Sequence, residues 1–181
     1  QMGTMKFKQH TLMQIADMIC GNLEGEKNLF RYRSSSYLTE FFQDCDTDYE
    51  HDGSTRKYWV ADTLLKILSE PNLNANTPTE TFSRVIQTLM DQGDAENENK
   101  EREGALVLLN TALAREGFEA FYAPDKQCYL RHIATNTIVR TSPNPHRPFS
   151  EAEIIQRELL IAYLNDASED ELIEEVLLPL F

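Results

Sequence analysis

The 181-residue chain is short of the residues that build tight cofactor cradles and cross-links, with seven glycines, seven prolines and three cysteines. So few glycines leave little room for phosphate-binding loops, and neither G-x-x-x-x-G-K-[ST] nor G-x-S-x-G occurs. Cys20, Cys45 and Cys128 are odd in number and far apart, which indicates neither a disulfide framework nor a CxxC zinc site. No apolar run approaches the ~20 residues of a bilayer span, and no basic segment leads into an apolar stretch. The expectation is a cytoplasmic protein with no membrane partner. Cations are scarce as well: 17 Lys+Arg against 30 Asp+Glu give a net charge of -13. Counterion release from phosphate needs clustered Lys and Arg, so a surface given over wholly to nucleic acid is excluded. What the chain does have is 41% apolar residues, enough to bury a core.

Residues 1–4, Gln1-Met2-Gly3-Thr4 ahead of Met5, read as a tag remnant. The last six residues, Val176-Leu177-Leu178-Pro179-Leu180-Phe181, are almost wholly apolar, whereas chain ends are usually polar and frayed. A chain that continues into something longer is expected, with a docked tail as the alternative.

Apolar spacing predicts helices first. Phe7, Leu12, Ile15, Ala16 and Ile19 mark one that stops at Gly21; Tyr37, Leu38, Phe41 and Phe42 mark the buried face of a second. A third follows Asp52-Gly53-Ser54 with Trp59, Val60, Thr63, Leu64, Ile67 and Leu68 inward. Thr77-Pro78-Thr79-Glu80 reads as a Thr77 N-cap, Pro at the first helical position and Glu at the third, opening a helix that buries Phe82, Val85, Ile86, Leu89 and Met90. Between Asp91 and Glu103 six acids and two bases predict a solvated loop or helix start, before a helix through Ala105, Leu108, Leu109, Ala112 and Leu113. The period then changes to two. Phe118–Tyr122, Gln127–Arg131 and Thr137–Arg140 read as three short strands. Three prolines within 143–148 make a connector, and Ser150/Glu153 and Ser168/Glu171 boxes open two further helices.

Candidate chemistry is sparse. The row Asp44, Asp46, Asp48, Glu50, Asp52 begins like a calcium loop but carries Tyr49 and Thr55 where that loop needs Gly and Glu. The acid-x-Lys of a magnesium nuclease occurs as Glu98-Asn99-Lys100, in the polar stretch and not on a strand. Arg140 and His146 have the spacing of a helical Arg–His ribonuclease pair, but Pro143 and Pro145 between them exclude the helix. No catalytic residue, metal site or cofactor is therefore expected. Two polar motifs remain. Arg31, Arg33, Ser34 and Ser35 lead into the second helix, and Ser54, Thr55 and Arg56 into the third, so both set Arg and hydroxyls at a helix N-terminus that attracts anions. They are the ligand- or partner-binding candidates. The competing structural reading has the hydroxyls capping helices and the arginines pairing with the acid row.

Three blocks carry a resemblance: Tyr32-Arg33-Ser34-Ser35-Ser36-x-Leu38-Thr39-x-Phe41-Phe42, Asp52-Gly53-Ser54-Thr55-Arg56-x-x-Trp59-Val60, and Leu109-Asn110-x-x-Leu113-x-x-Glu116-Gly117-Phe118. In this order, over roughly residues 30 to 140, they resemble the N-terminal domains of AbiJ-type abortive-infection proteins of bacterial anti-phage defence. The resemblance implies a sensor or regulatory module fused to a variable effector, with no catalytic residue of its own. The tail from Ser168 to Phe181 is similar to the first helix of restriction-endonuclease-like (Mrr-type) nuclease domains. That likeness implies that Glu174 or Glu175 lies near a metal in the complete domain and that the Asp and Glu-x-Lys of the chemistry follow Phe181.

The combined expectation is an α+β chain, mostly helical, with a three-stranded antiparallel β-meander near residues 118–141. Residues 5–148 would form the sensor and 149–181 a helical pair leading into the effector. The function expected is a non-catalytic regulatory module controlling a C-terminal effector nuclease in the same chain, triggered by a phage component or a nucleotide signal. The alternative is a nucleic-acid-binding module using Arg115, Lys126, Arg131, Arg140 and Arg147, with Tyr129 as a stacking surface. A third reading, a homo-oligomer scaffold, would place its contacts in 149–181.

Overall fold

Apolar spacing at helical period becomes six helices in the computed structural model, which describes residues 5–22, 29–97, 100–141 and 159–163. They are α1 Gln9–Cys20, α2 Ser35–Asp44, α3 Arg56–Leu68, α4 Glu80–Leu89, α5 Gln92–Asn97 and α6 Arg102–Leu113, followed by a 3-10 turn Ala114–Glu116 and an antiparallel hairpin, β1 Phe118–Tyr122 and β2 Cys128–His132. The fold is α+β and mostly helical. α1 lies against α3 and α6, and β1 packs on α6. Leu12, Ile15 and Ile19 of α1, Leu64, Ile67 and Leu68 of α3, Phe82 and Ile86 of α4 and Leu109 and Leu113 of α6 make one continuous core. Aromatic edges lock it. Phe42 sits edge-on to both Phe41 and Trp59, and Phe7 bridges Phe82 and Phe118.

Both ends of α1 are closed by residues distant in sequence. Lys8 offers no side-chain cap, and the Glu116 carboxylate instead accepts from the Lys8 amide at 3.1 Å and the Thr11 hydroxyl at 2.6 Å, placing negative charge at the positive end of the helix dipole. At the other end Gly21 adopts φ 70°, and its amide and that of Asn22 return to Asp17 O. Asn110 braces the hairpin from α6: its amide donates to Ala120 O at 2.9 Å and accepts from the Ala120 amide at 2.6 Å. These are two bonds to a buried backbone, each worth about 1 kcal/mol net. Asn110→Ala is expected to lower stability by about 2 kcal/mol in urea titration, with the helical circular dichroism unchanged before the transition.

Three expectations are corrected. The third strand, Thr137–Arg140, reduces to an isolated bridge between Arg131 and Ile138, so the sheet is two-stranded. The chain turns back before Thr137, with Asn136 at φ 57°, but only the His132 amide to Thr137 O and the Val139 amide to Leu130 O continue the ladder. The cap of α4 is Thr79, not Thr77: its hydroxyl accepts from the Phe82 amide and donates to Ile67 O, which draws the helix start two residues inward. Tyr37 is 48% exposed instead of buried, since Leu38, Phe41 and Phe42 suffice to cover the inner face of α2. In the stretch 91–103, expected as a solvated loop or helix start, Gln92–Asn97 form α5 and Arg102 donates to Leu89 O and Leu29 O.

Residues 159–163 form a helical turn whose Leu160 is buried against Phe121 and Ala123, with Tyr129 and Ile138 beside them. The remainder of the expected pair 149–181, with Arg147, His146, Glu174 and Glu175, lies outside the described residues. Among the described residues no helix is long and apolar enough to cross a membrane.

Candidate functional site

The two candidate motifs meet at the C-terminal end of α1. Arg33, itself buried, donates to Ile19 O at 3.0 Å and lies over the Phe41 ring at 4.6 Å. Arg56, from the start of α3, donates through Nε to Arg33 O at 2.9 Å and through its terminal nitrogen to Cys20 O at 2.7 Å, and covers the Tyr32 ring. The Arg33 amide reaches Cys20 O as well. Carbonyls that the last turn of α1 cannot satisfy internally thus receive two guanidinium groups, whose charge also suits the negative end of the helix dipole. Burial pushes Arg33 down to about 10, and the neighbouring Arg31 charge adds to the effect. Neither Arg33 nor Arg56 forms an ion pair with the acid row; Asp46 pairs with Arg84 at 3.5 Å. The arginines are staples, a role the spacing did not reveal because their acceptors are main-chain atoms of another element.

The hydroxyls are arranged differently. Ser34 leaves the α2 amides uncapped, and the first amide to enter the ladder is that of Leu38 onto Ser34 O. Ser35 Oγ is 2.6 Å from His51 Nδ1. His51 Nε2 is 2.8 Å from Ser54 O, its amide donates to Thr39 Oγ1 at 2.9 Å, and its ring stands edge-on to Trp59 at 5.0 Å. The Ser54 hydroxyl and amide both donate to Asp52 Oδ1, which holds that carboxyl below its usual range. Thr55 is exposed and its side chain makes no capping bond to α3. Arg31 lies over the ring of the half-exposed Tyr37 at 4.9 Å.

No family model, curated protein or solved structure matches this chain. His51 is the residue that motif reading passed over: in sequence it only flanks the acid row, while in space it joins the two candidate motifs. The signal available was a histidine beside the Asp52-Gly53-Ser54 turn, whose geometry, with Gly53 at φ 85°, presents Ser54 O back to the ring.

Among the described cations of the alternative interface, Arg115 and Arg131 have side-chain partners. Arg115 bonds to Gln14 Oε1; Arg131 pairs with Glu119 at 3.2 Å and covers Phe121; Lys126 occupies the hairpin turn at φ 66°; Arg140 is exposed beyond the bridge. The Tyr129 hydroxyl donates to Asp125 at 2.6 Å and its ring lies beside Phe121. Among the described residues no group of three or more His, Cys, Asp or Glu is placed to hold a metal. Burial raises the thiols of Cys20 to about 11 and of Cys45 and Cys128 to about 12, so all three are poor nucleophiles at neutral pH.

Proposed function

We propose that the chain is the sensor or regulatory module of a bacterial antiviral defence protein, acting in the cytoplasm and governing a C-terminal effector nuclease without itself cleaving nucleic acid. The observation that supports this most is the seating of Leu160, 3% exposed, against Phe121 and Ala123. It gives the following chain a specific handle on the hairpin, and the surface of Ser35, His51 and Ser54 at the far end of α1 would receive a partner or a small anionic signal. A signal received there reaches the hairpin through α1, the Glu116 cap and the Asn110 brace.

The test is phage challenge of bacteria carrying the complete gene with its natural downstream sequence. Protection by the wild type is expected, and Leu160→Asp, which sets an unpaired charge against Phe121, should abolish or unleash the response while the protein accumulates normally. Equal protection by Leu160→Asp, or no phage restricted by the wild type, overturns the reading.

A further inference from the structure

Ser35, His51 and Ser54 O form a chain of nucleophile, base and orienting acceptor. A main-chain carbonyl only accepts, so the 2.8 Å contact of His51 Nε2 with Ser54 O places the proton of the neutral ring on Nε2. Nδ1 then carries the lone pair and faces the Ser35 hydroxyl at 2.6 Å. The ring cannot turn away freely, because Trp59 stands against it and the His51 amide is tied to Thr39. Ser35 itself is exposed, so a reagent can reach Oγ. The amide of Ser36, the residue after the hydroxyl, lies ahead of the α2 ladder and is available to a developing oxyanion. A weak nucleophile within reach of a base that a third group orients is the arrangement that activates serine.

We propose that Ser35 is an activated nucleophile, with His51 as its general base, that takes acyl groups from small exposed carboxylic esters. Ser35 Oγ bonds to the ester carbonyl carbon as its proton passes to His51 Nδ1. The carbon–oxygen bond to the alcohol breaks, and the departing alkoxide takes that proton, leaving acyl-Ser35. Water then attacks the same carbon and gives a proton to Nδ1, the bond from that carbon to Ser35 Oγ breaks to release the acid, and Oγ takes the proton back from Nδ1. Nothing outside the ester and water is consumed. The inference goes beyond the regulatory reading and does not depend on it.

The test is covalent labelling of the whole chain with a small alkyl fluorophosphonate, in which Oγ bonds to phosphorus, fluoride leaves, and the proton passes to His51. Intact mass and peptide mapping should place one adduct on Ser35 and none on Ser34 or Ser36. Ser35→Ala should abolish it. His51→Gln, whose side-chain amide can still donate to Ser54 O but offers no base, should slow labelling by about 10²-fold or more with an unchanged melting curve. Hydrolysis of p-nitrophenyl acetate should fall in parallel. No adduct on the folded protein, equal labelling of Ser34 or Ser36, or a His51→Gln protein that labels at the wild-type rate each overturns the proposal.

Discussion

Gly21→Ala is expected to be the most damaging small substitution in the chain, lowering stability by about 3 kcal/mol or more. Two costs add at this position. A side chain at φ 70° costs roughly 1–2 kcal/mol through contact of Cβ with its own backbone. A Cβ at Gly21 would also collide with the Arg31 carbonyl and come within 2.6 Å of Tyr32 Cα, and these are backbone atoms that cannot rotate aside. Overpacking of that kind costs about 1–3 kcal/mol. Gly117→Ala separates the two, since Gly117 has φ 85° with nothing within 4 Å of a Cβ, so only the conformational cost of about 1–2 kcal/mol is expected there. Urea denaturation of both variants checks the difference. Equal midpoints would mean that the close approach of the 31–32 backbone to the end of α1 has no energetic weight.

Arg33→Met is the second large effect expected, a loss of about 2–3 kcal/mol. The bond to Ile19 O is charge-assisted and worth roughly 1.5–3 kcal/mol, and the stacking on Phe41 contributes about 1 kcal/mol more. Against this, methionine is spared the desolvation that draws the guanidinium down to about 10. At ~2–4 °C per kcal/mol for a chain of this size, the melting temperature should fall by about 5–10 °C. Arg56→Met, whose acceptors are the neighbouring Cys20 O and Arg33 O, should couple with it, so the double variant is expected to lose less than the sum of the two. Arg33→Lys should recover only part, because an ammonium lacks the planar face that covers Phe41. An Arg33→Met protein that melts like the wild type would return Arg33 to the ligand-binding candidates.

Helix positions were legible because the core needs an apolar stripe every three to four residues. Leu12, Ile15 and Ile19 or Phe82, Val85 and Ile86 can be spaced in no other way and still face one interior. Gly21 as a stop was legible for a local reason, the left-handed residue that closes a helix. The third strand was not, because alternation in Thr137–Arg140 states which side chains face inward and says nothing of whether a neighbouring strand offers enough backbone partners. The same limit applies to the candidate surface. The residue types around 31–36 and 51–56 were recognisable, yet Arg33 and Arg56 turned from ligand-facing to load-carrying once their acceptors proved to be carbonyls of α1, and His51 gained its place only when the fold brought Ser35 and Ser54 to opposite sides of its ring.

The Cys20 carbonyl oxygen accepts from the Arg33 amide at 3.1 Å and from the Arg56 guanidinium at 2.7 Å. One atom therefore joins the last turn of α1 to the segments on either side of α2. Fraying of that turn releases both segments at once, so they open as a single cooperative unit and not as two independent loops. In native-state hydrogen exchange the amides of Gly21 and Arg33 should share one opening free energy, and any partner that binds across both segments would slow the two together.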